Sequence, residues 1–60
     1  MIVDLLKEQL AEYMEQFKAN QSECIQLMKE GKEWEEHARK GAGLKMMIEV
    51  TLLEIKKYSN

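Results

Sequence analysis

The sequence predicts an all-α fold: a long helix with a short antiparallel helix folded back on it, a helical hairpin assembled into a coiled-coil-like homo-oligomeric bundle. Three observations predict it. An apolar stripe runs through Val3, Leu6, Leu10, Tyr13, Phe17, Asn20, Cys24, Leu27, Gly31, Trp34, Ala38 and Gly41 in alternating steps of three and four, the spacing of a heptad seam. The chain has no proline and three glycines, and it is rich in Glu, Lys, Leu and Met, a mixture that favours helix. Its 60 residues make a single helical domain. A chain this short buries only about 60% of the surface its unfolded form exposes, so a lone core is marginal.

The first helix is expected over about 2–40. Asp4 and Glu8 lie in or near its first turns, where acids suit the positive end of the helix dipole. Glu35 with Arg39 and Glu36 with Lys40 are acid-before-base pairs four apart, each worth a few tenths of a kcal/mol. Two places weaken it. Asn20-Gln21-Ser22-Glu23 contains poor helix formers with the spacing of an N-cap, and Gly31 costs about 1 kcal/mol relative to alanine inside a helix. The stripe passes through both in phase, which favours one continuous helix.

Gly41-Ala42-Gly43 is the expected turn, because Arg39 and Lys40 precede it and glycine commonly follows a helix end. A second helix is expected over about 44–58, with Ser59 and Asn60 frayed. Leu44, Met47, Ile48, Leu52, Ile55 and Tyr58 form a broad apolar face at about 100° per residue, and Met46, Val50 and Leu53 form another nearly opposite. A helix apolar on most sides is buried on most sides.

These lengths let the second helix cover less than half of the first. Val3 to Phe17 would then stand in water, a larger apolar patch than monomers usually show. The expectation is a dimer or tetramer. Val3, Leu6, Leu10, Tyr13, Phe17 and Asn20 pair between copies, and Met46, Val50 and Leu53 fill the centre. Asn20 on the seam would set register and partner number; its other reading is an exposed residue at a kink. The alternative architecture is a monomeric three-helix bundle broken near Asn20 and Gly41.

Composition narrows the functional classes. A single cysteine, Cys24, excludes an intrachain disulfide, and one Cys with one His makes no four-ligand zinc site without carboxylates or a second chain. The lone thiol fits a reducing cytoplasm, that of a host if the gene is viral. Net charge is −2, so no global field draws the chain to nucleic acid or membrane. Residues 1–36 hold nine acids and four bases, and residues 37–60 two acids and five bases. That basic end reads either as attraction for an anion or as helix-dipole complementarity. No targeting segment is expected, since Asp4, Lys7 and Glu8 interrupt the apolar start, and no stretch reaches the roughly 20 apolar residues of a membrane span.

No catalytic constellation and no cofactor are expected. Cys24 and His37 are the attractive candidates for nucleophile and base, but on one helix they stand about 20 Å apart. Cys24 reads as a small core residue and His37 as a solvated surface residue. Glu33, Glu35 and Glu36 surround His37 without the Glu-x-x-His spacing of di-metal bundles, so no metal is expected. One cluster fits an anion. Trp34, His37, Arg39, Lys40 and Lys45 flank a glycine-containing helix start whose free amides attract phosphate, and Trp34 can stack on a base. The cluster lacks the spacing of a P-loop or dinucleotide fingerprint. In its structural reading Trp34 is a core anchor, Gly41 a C-cap and the bases are solvated. Met1, Met14, Met28, Met46 and Met47 offer an adaptable apolar surface for partner helices.

Ala38, Gly41-Ala42-Gly43, Met47-Ile48-Glu49 and Leu52-Leu53-Glu54 loosely resemble the C-terminal pattern of small helical-hairpin accessory or inhibitor proteins of tailed bacteriophages. The resemblance covers roughly residues 34–55 and implies a non-enzymatic oligomer; no site residue follows from it, and Trp34 and Asn20 match no pattern of that group. The expected function is a non-catalytic, self-associating binding module that engages a macromolecular partner, as a phage-type inhibitor or adaptor. The alternative is an oligomer that sequesters a small anionic ligand, such as a nucleotide signal, near the 34–45 turn.

Overall fold

The computed structural model describes residues 1–59. Among them are two helices, α1 (Ile2–Lys29) and α2 (Glu35–Ser59), packed as a hairpin. The helical hairpin stands as expected; the position of its turn does not. The chain reverses at residues 30–34, so the arms are 28 and 25 residues long, about 42 and 37 Å at 1.5 Å per residue. The expected long helix over 2–40, the turn at 41–43 and the short helix over 44–58 give way to two nearly equal arms. A three-helix bundle does not fit two helices, and the chain does not break at Asn20. Ser59 continues α2; the fraying expected of Asn60 lies outside the described residues.

Gly31 makes the turn. Its φ is +71°, the left-handed region that costs an L-residue roughly 1–2 kcal/mol and glycine nothing. The Gly31 amide donates to the Met28 carbonyl at 3.1 Å, and the Lys32 amide to the Leu27 carbonyl at 2.9 Å. Those two bonds are the paired closure of a glycine C-cap. Lys29 adds a base in the last turn. Beside it, hydrogen bonds from Gln26 and then Lys32 hold the Glu30 carboxyl below its usual range. α2 begins directly afterwards. The Trp34 carbonyl accepts from the Ala38 amide at 3.0 Å, and Glu35 and Glu36 occupy the first turn, where acids meet the positive dipole end.

Between the helices lies a seam one residue deep. On α1, Val3, Leu6, Leu10, Tyr13, Phe17, Asn20, Cys24 and Leu27 are the sheltered positions; on α2 they are His37, Gly41, Leu44, Ile48, Thr51 and Ile55, with Trp34 at the helix entry. Each series steps by three and four, the pattern of helices facing each other along their length. The expected seam members Gly31 and Ala38 are exposed instead. Gly31 is spent on the turn, and α2 starts afresh with His37 facing α1.

Gly41 and Gly43 stay helical, with no positive φ at either. Gly41 is there for closeness rather than for bending. It is buried, and a Cβ placed on it would lie 3.1 Å from Asn20 Nδ2 and 4.0 Å from Phe17 Cε1. The hairpin is thin: its extents are 47 × 14 × 11 Å and its radius of gyration is 14.1 Å, against about 10 Å for a compact chain of this length.

Candidate functional site

The best-defined side-chain cluster lies midway between the turn and the middle of the hairpin. Asn20, 7% exposed, donates from Nδ2 to the His37 carbonyl at 2.7 Å, directly over Gly41. One helical turn nearer the chain reversal, His37 Nε2 stands 3.4 Å from Glu23 Oε1. Cys24 Sγ approaches the Trp34 carbonyl at 3.8 Å, a weak contact. The sequence expectation separated Cys24 from His37 along one helix. The turn at Gly31 lies between them, so they belong to facing helices at the same end of the hairpin. Their polar atoms are nevertheless aimed apart, the thiol at a carbonyl and the imidazole at a carboxylate. No group of three ligating side chains fit to hold a metal exists among the described residues.

Thr51 is the other polar residue in the seam. It is 4% exposed, and its hydroxyl donates to the Met47 carbonyl at 2.7 Å, which satisfies it within its own helix. Sequence reasoning placed Met47 and Leu52 on this face and passed over Thr51. Both are exposed. The steps of three and four from Gly41 through Leu44 and Ile48 lead to Thr51, and that was the available signal.

Of the candidate anion-binding residues, His37, Arg39 and Lys40 line one depression of about 430 Å³ beside Glu36, and Trp34 and Lys45 are not part of that lining. Residues 41–43 lie inside α2, so their amides belong to the helix and offer no free donors there. The true start of α2 is flanked by Glu33, Glu35 and Glu36, and the depression there, about 470 Å³, is lined by these three with His37 and Arg39. Trp34 and His37 are half-buried; Arg39, Lys40 and Lys45 are exposed. Lys40 and Lys45 point about 140° apart at about 100° per residue, to opposite flanks of the seam.

The interface residues expected from sequence divide into two groups. Val3, Leu6, Leu10, Tyr13, Phe17 and Asn20 are sheltered within the hairpin. They were expected to pair between copies because the second helix was expected to be too short to reach them; with 25 residues it runs nearly the length of α1. Met46, Val50 and Leu53 are exposed, as an outward stripe would be. They have company. Twelve large apolar side chains are exposed among the described residues, and Leu6 is the one apolar side chain counted as buried. On one flank Ala11, Met14, Phe17 and Ile48 line an open groove of about 810 Å³, edged by Lys18 and Lys45. On the outer side of α2 lie Met46, Met47, Val50 and Leu53.

The chain's accessible surface is 5003 Å², while a compact monomer of its 7.1 kDa mass would expose about 4,100 Å². The difference, about 900 Å², is close to the roughly 800 Å² that each partner contributes to a standard interface. No helix among the described residues is long and apolar enough to cross a membrane.

Comparison with protein-family models, with curated proteins and with solved structures gives no match.

Proposed function

We propose that the chain is a non-catalytic helical module that works as a homo-oligomer of hairpins, a dimer or tetramer, and presents its remaining faces to a macromolecular partner. One observation carries this reading: twelve large apolar side chains stand in solvent around a seam with one buried apolar residue. Contiguous exposed apolar surface marks interaction sites, and a core this thin leaves a 60-residue chain without a usual source of stability. A second copy supplies the missing layer. The exposed methionines, Met1, Met14, Met28, Met46 and Met47, suit a surface that adapts to a partner helix. An adaptor or inhibitor of the phage type is the role that fits such a module.

Concentration-dependent melting tests it. Thermal unfolding followed by circular dichroism over a hundredfold range of protein concentration is expected to shift to higher temperature as concentration rises, because association stabilises by mass action. A melting temperature independent of concentration contradicts the proposal.

Sequestration of a small anion by the whole cluster would need pockets between copies, since Lys40 and Lys45 diverge within one chain. Trp34 emission reports on that alternative. The expected result is no saturable change on adding nucleotides or inorganic phosphate. A saturable quench abolished by Arg39→Ala with Lys45→Ala would replace the module reading with sequestration.

A further inference from the structure

Gly43 is unexplained by anything within the hairpin. It lies in the interior of α2, where glycine weakens a helix relative to alanine. It needs no special backbone angle. Unlike Gly41, it meets nothing: a Cβ built on it has no atom within 4 Å. Toward the C-terminus its neighbours on the helix surface are apolar, Met46 and Met47, and toward the N-terminus they are basic, Arg39 and Lys40. Gly43, Met46, Met47, Val50 and Leu53 fall within about 120° of one another around α2 at about 100° per residue. Met46 and Leu53 are 64% and 67% exposed. An open glycine on an apolar, solvent-facing stripe is what the close approach of another helix requires.

We propose that this face of α2 packs antiparallel against the same face of α2 in a second copy, with the gap at Gly43 of each copy receiving a side chain of the other. This rests on the self-association proposed above and adds which surface is used. A two-fold axis between residues 46 and 47 makes the contact isologous. It sets Gly43 opposite Val50 of the second copy, a gap facing a branched side chain, and brings the methionines together at the centre. The same axis sets Arg39 opposite Glu54 of the second copy, so the ends of the patch carry complementary charge. The antiparallel arrangement also opposes the two helix dipoles. The surface in excess of a compact monomer, about 900 Å², matches what each partner brings to a standard interface.

Sedimentation equilibrium on the full chain, with Gly43→Ala, Gly43→Leu and Val50→Glu, tests this. Each substitution falls on an exposed position, and Gly43→Ala introduces a better helix former into open space, so the hairpin itself tolerates it. The expected result is a wild-type mass of at least twice 7.1 kDa, a dissociation constant raised at least tenfold by Gly43→Ala, and monomers for the other two. If the wild type associates and Gly43→Ala binds as tightly or more tightly, this surface is wrong and self-association stands. If the wild type is itself a monomer, both fall.

Discussion

Asn20 and Gly41 are one device. The amide reaches the His37 carbonyl at 2.7 Å across the space that a Cβ at position 41 would crowd. At 3.1 Å a methyl there would press on the nitrogen. A buried amide left without its bond costs about 1–3 kcal/mol, so the hairpin is held in the register that pairs these two residues. Coupling follows. In the wild-type background Gly41→Ala is expected to lower stability, since displacing the amide outweighs the gain in helix propensity. In an Asn20→Ala background the same change is expected to raise it, by up to about 1 kcal/mol. Denaturant melts of the four proteins give the interaction energy; additive effects would contradict the device.

The elements are defined by Gly31 at one boundary and by Trp34, Glu35 and Glu36 at the other. Gly31→Ala forces an L-residue to φ +71°, at about 1 kcal/mol or more, and is expected to lower Tm by about 4–8 °C per kcal/mol. Gly31→Asn is expected to cost less, because asparagine tolerates the left-handed region. Equal melting of wild type and Gly31→Ala would contradict the turn. Glu30 adds a pH dependence. Its carboxyl is held below its usual range when folded, so its contribution is present above the unfolded value and is lost as pH falls through the folded one. The side chain is exposed and screened, so the effect is small: Glu30→Gln is expected to remove part of the acid-side loss of helicity. An unchanged acid limb would contradict it.

The α1 face was readable from sequence. All eight stripe positions from Val3 to Leu27 are the sheltered ones, because periodicity records which side of a helix avoids water. The turn was not readable by that route. Leu27, Gly31 and Trp34 continue the steps of three and four across a reversal of the chain, so phase is blind to direction. A basic last turn precedes both Gly31 and Gly41; what distinguishes them is that Gly31 is followed by a tryptophan and two acids that open a helix, whereas Gly41 answers Asn20, which is 21 positions away in sequence and adjacent only in the fold. The anion cluster drew its free amides from the misplaced turn and lost them when 41–43 proved to lie inside α2, while His37, Arg39 and Lys40 remain together beside Glu36. His37 and Thr51 were missed as seam members because neither is apolar.

At the scale of the whole molecule, the hairpin is two helices thick and about 47 Å long. Each helix shelters one side chain in three or four, and the rest of its apolar residues face water. Copies that share those faces gain what a larger chain obtains from its own core. The most direct test is absolute mass by light scattering in dilute buffer, with the near-ultraviolet signal of Trp34 read on the same sample. An assembly of two or more 7.1 kDa chains with ordered packing is the predicted result. A rigid, cooperatively melting 7.1 kDa species would contradict it.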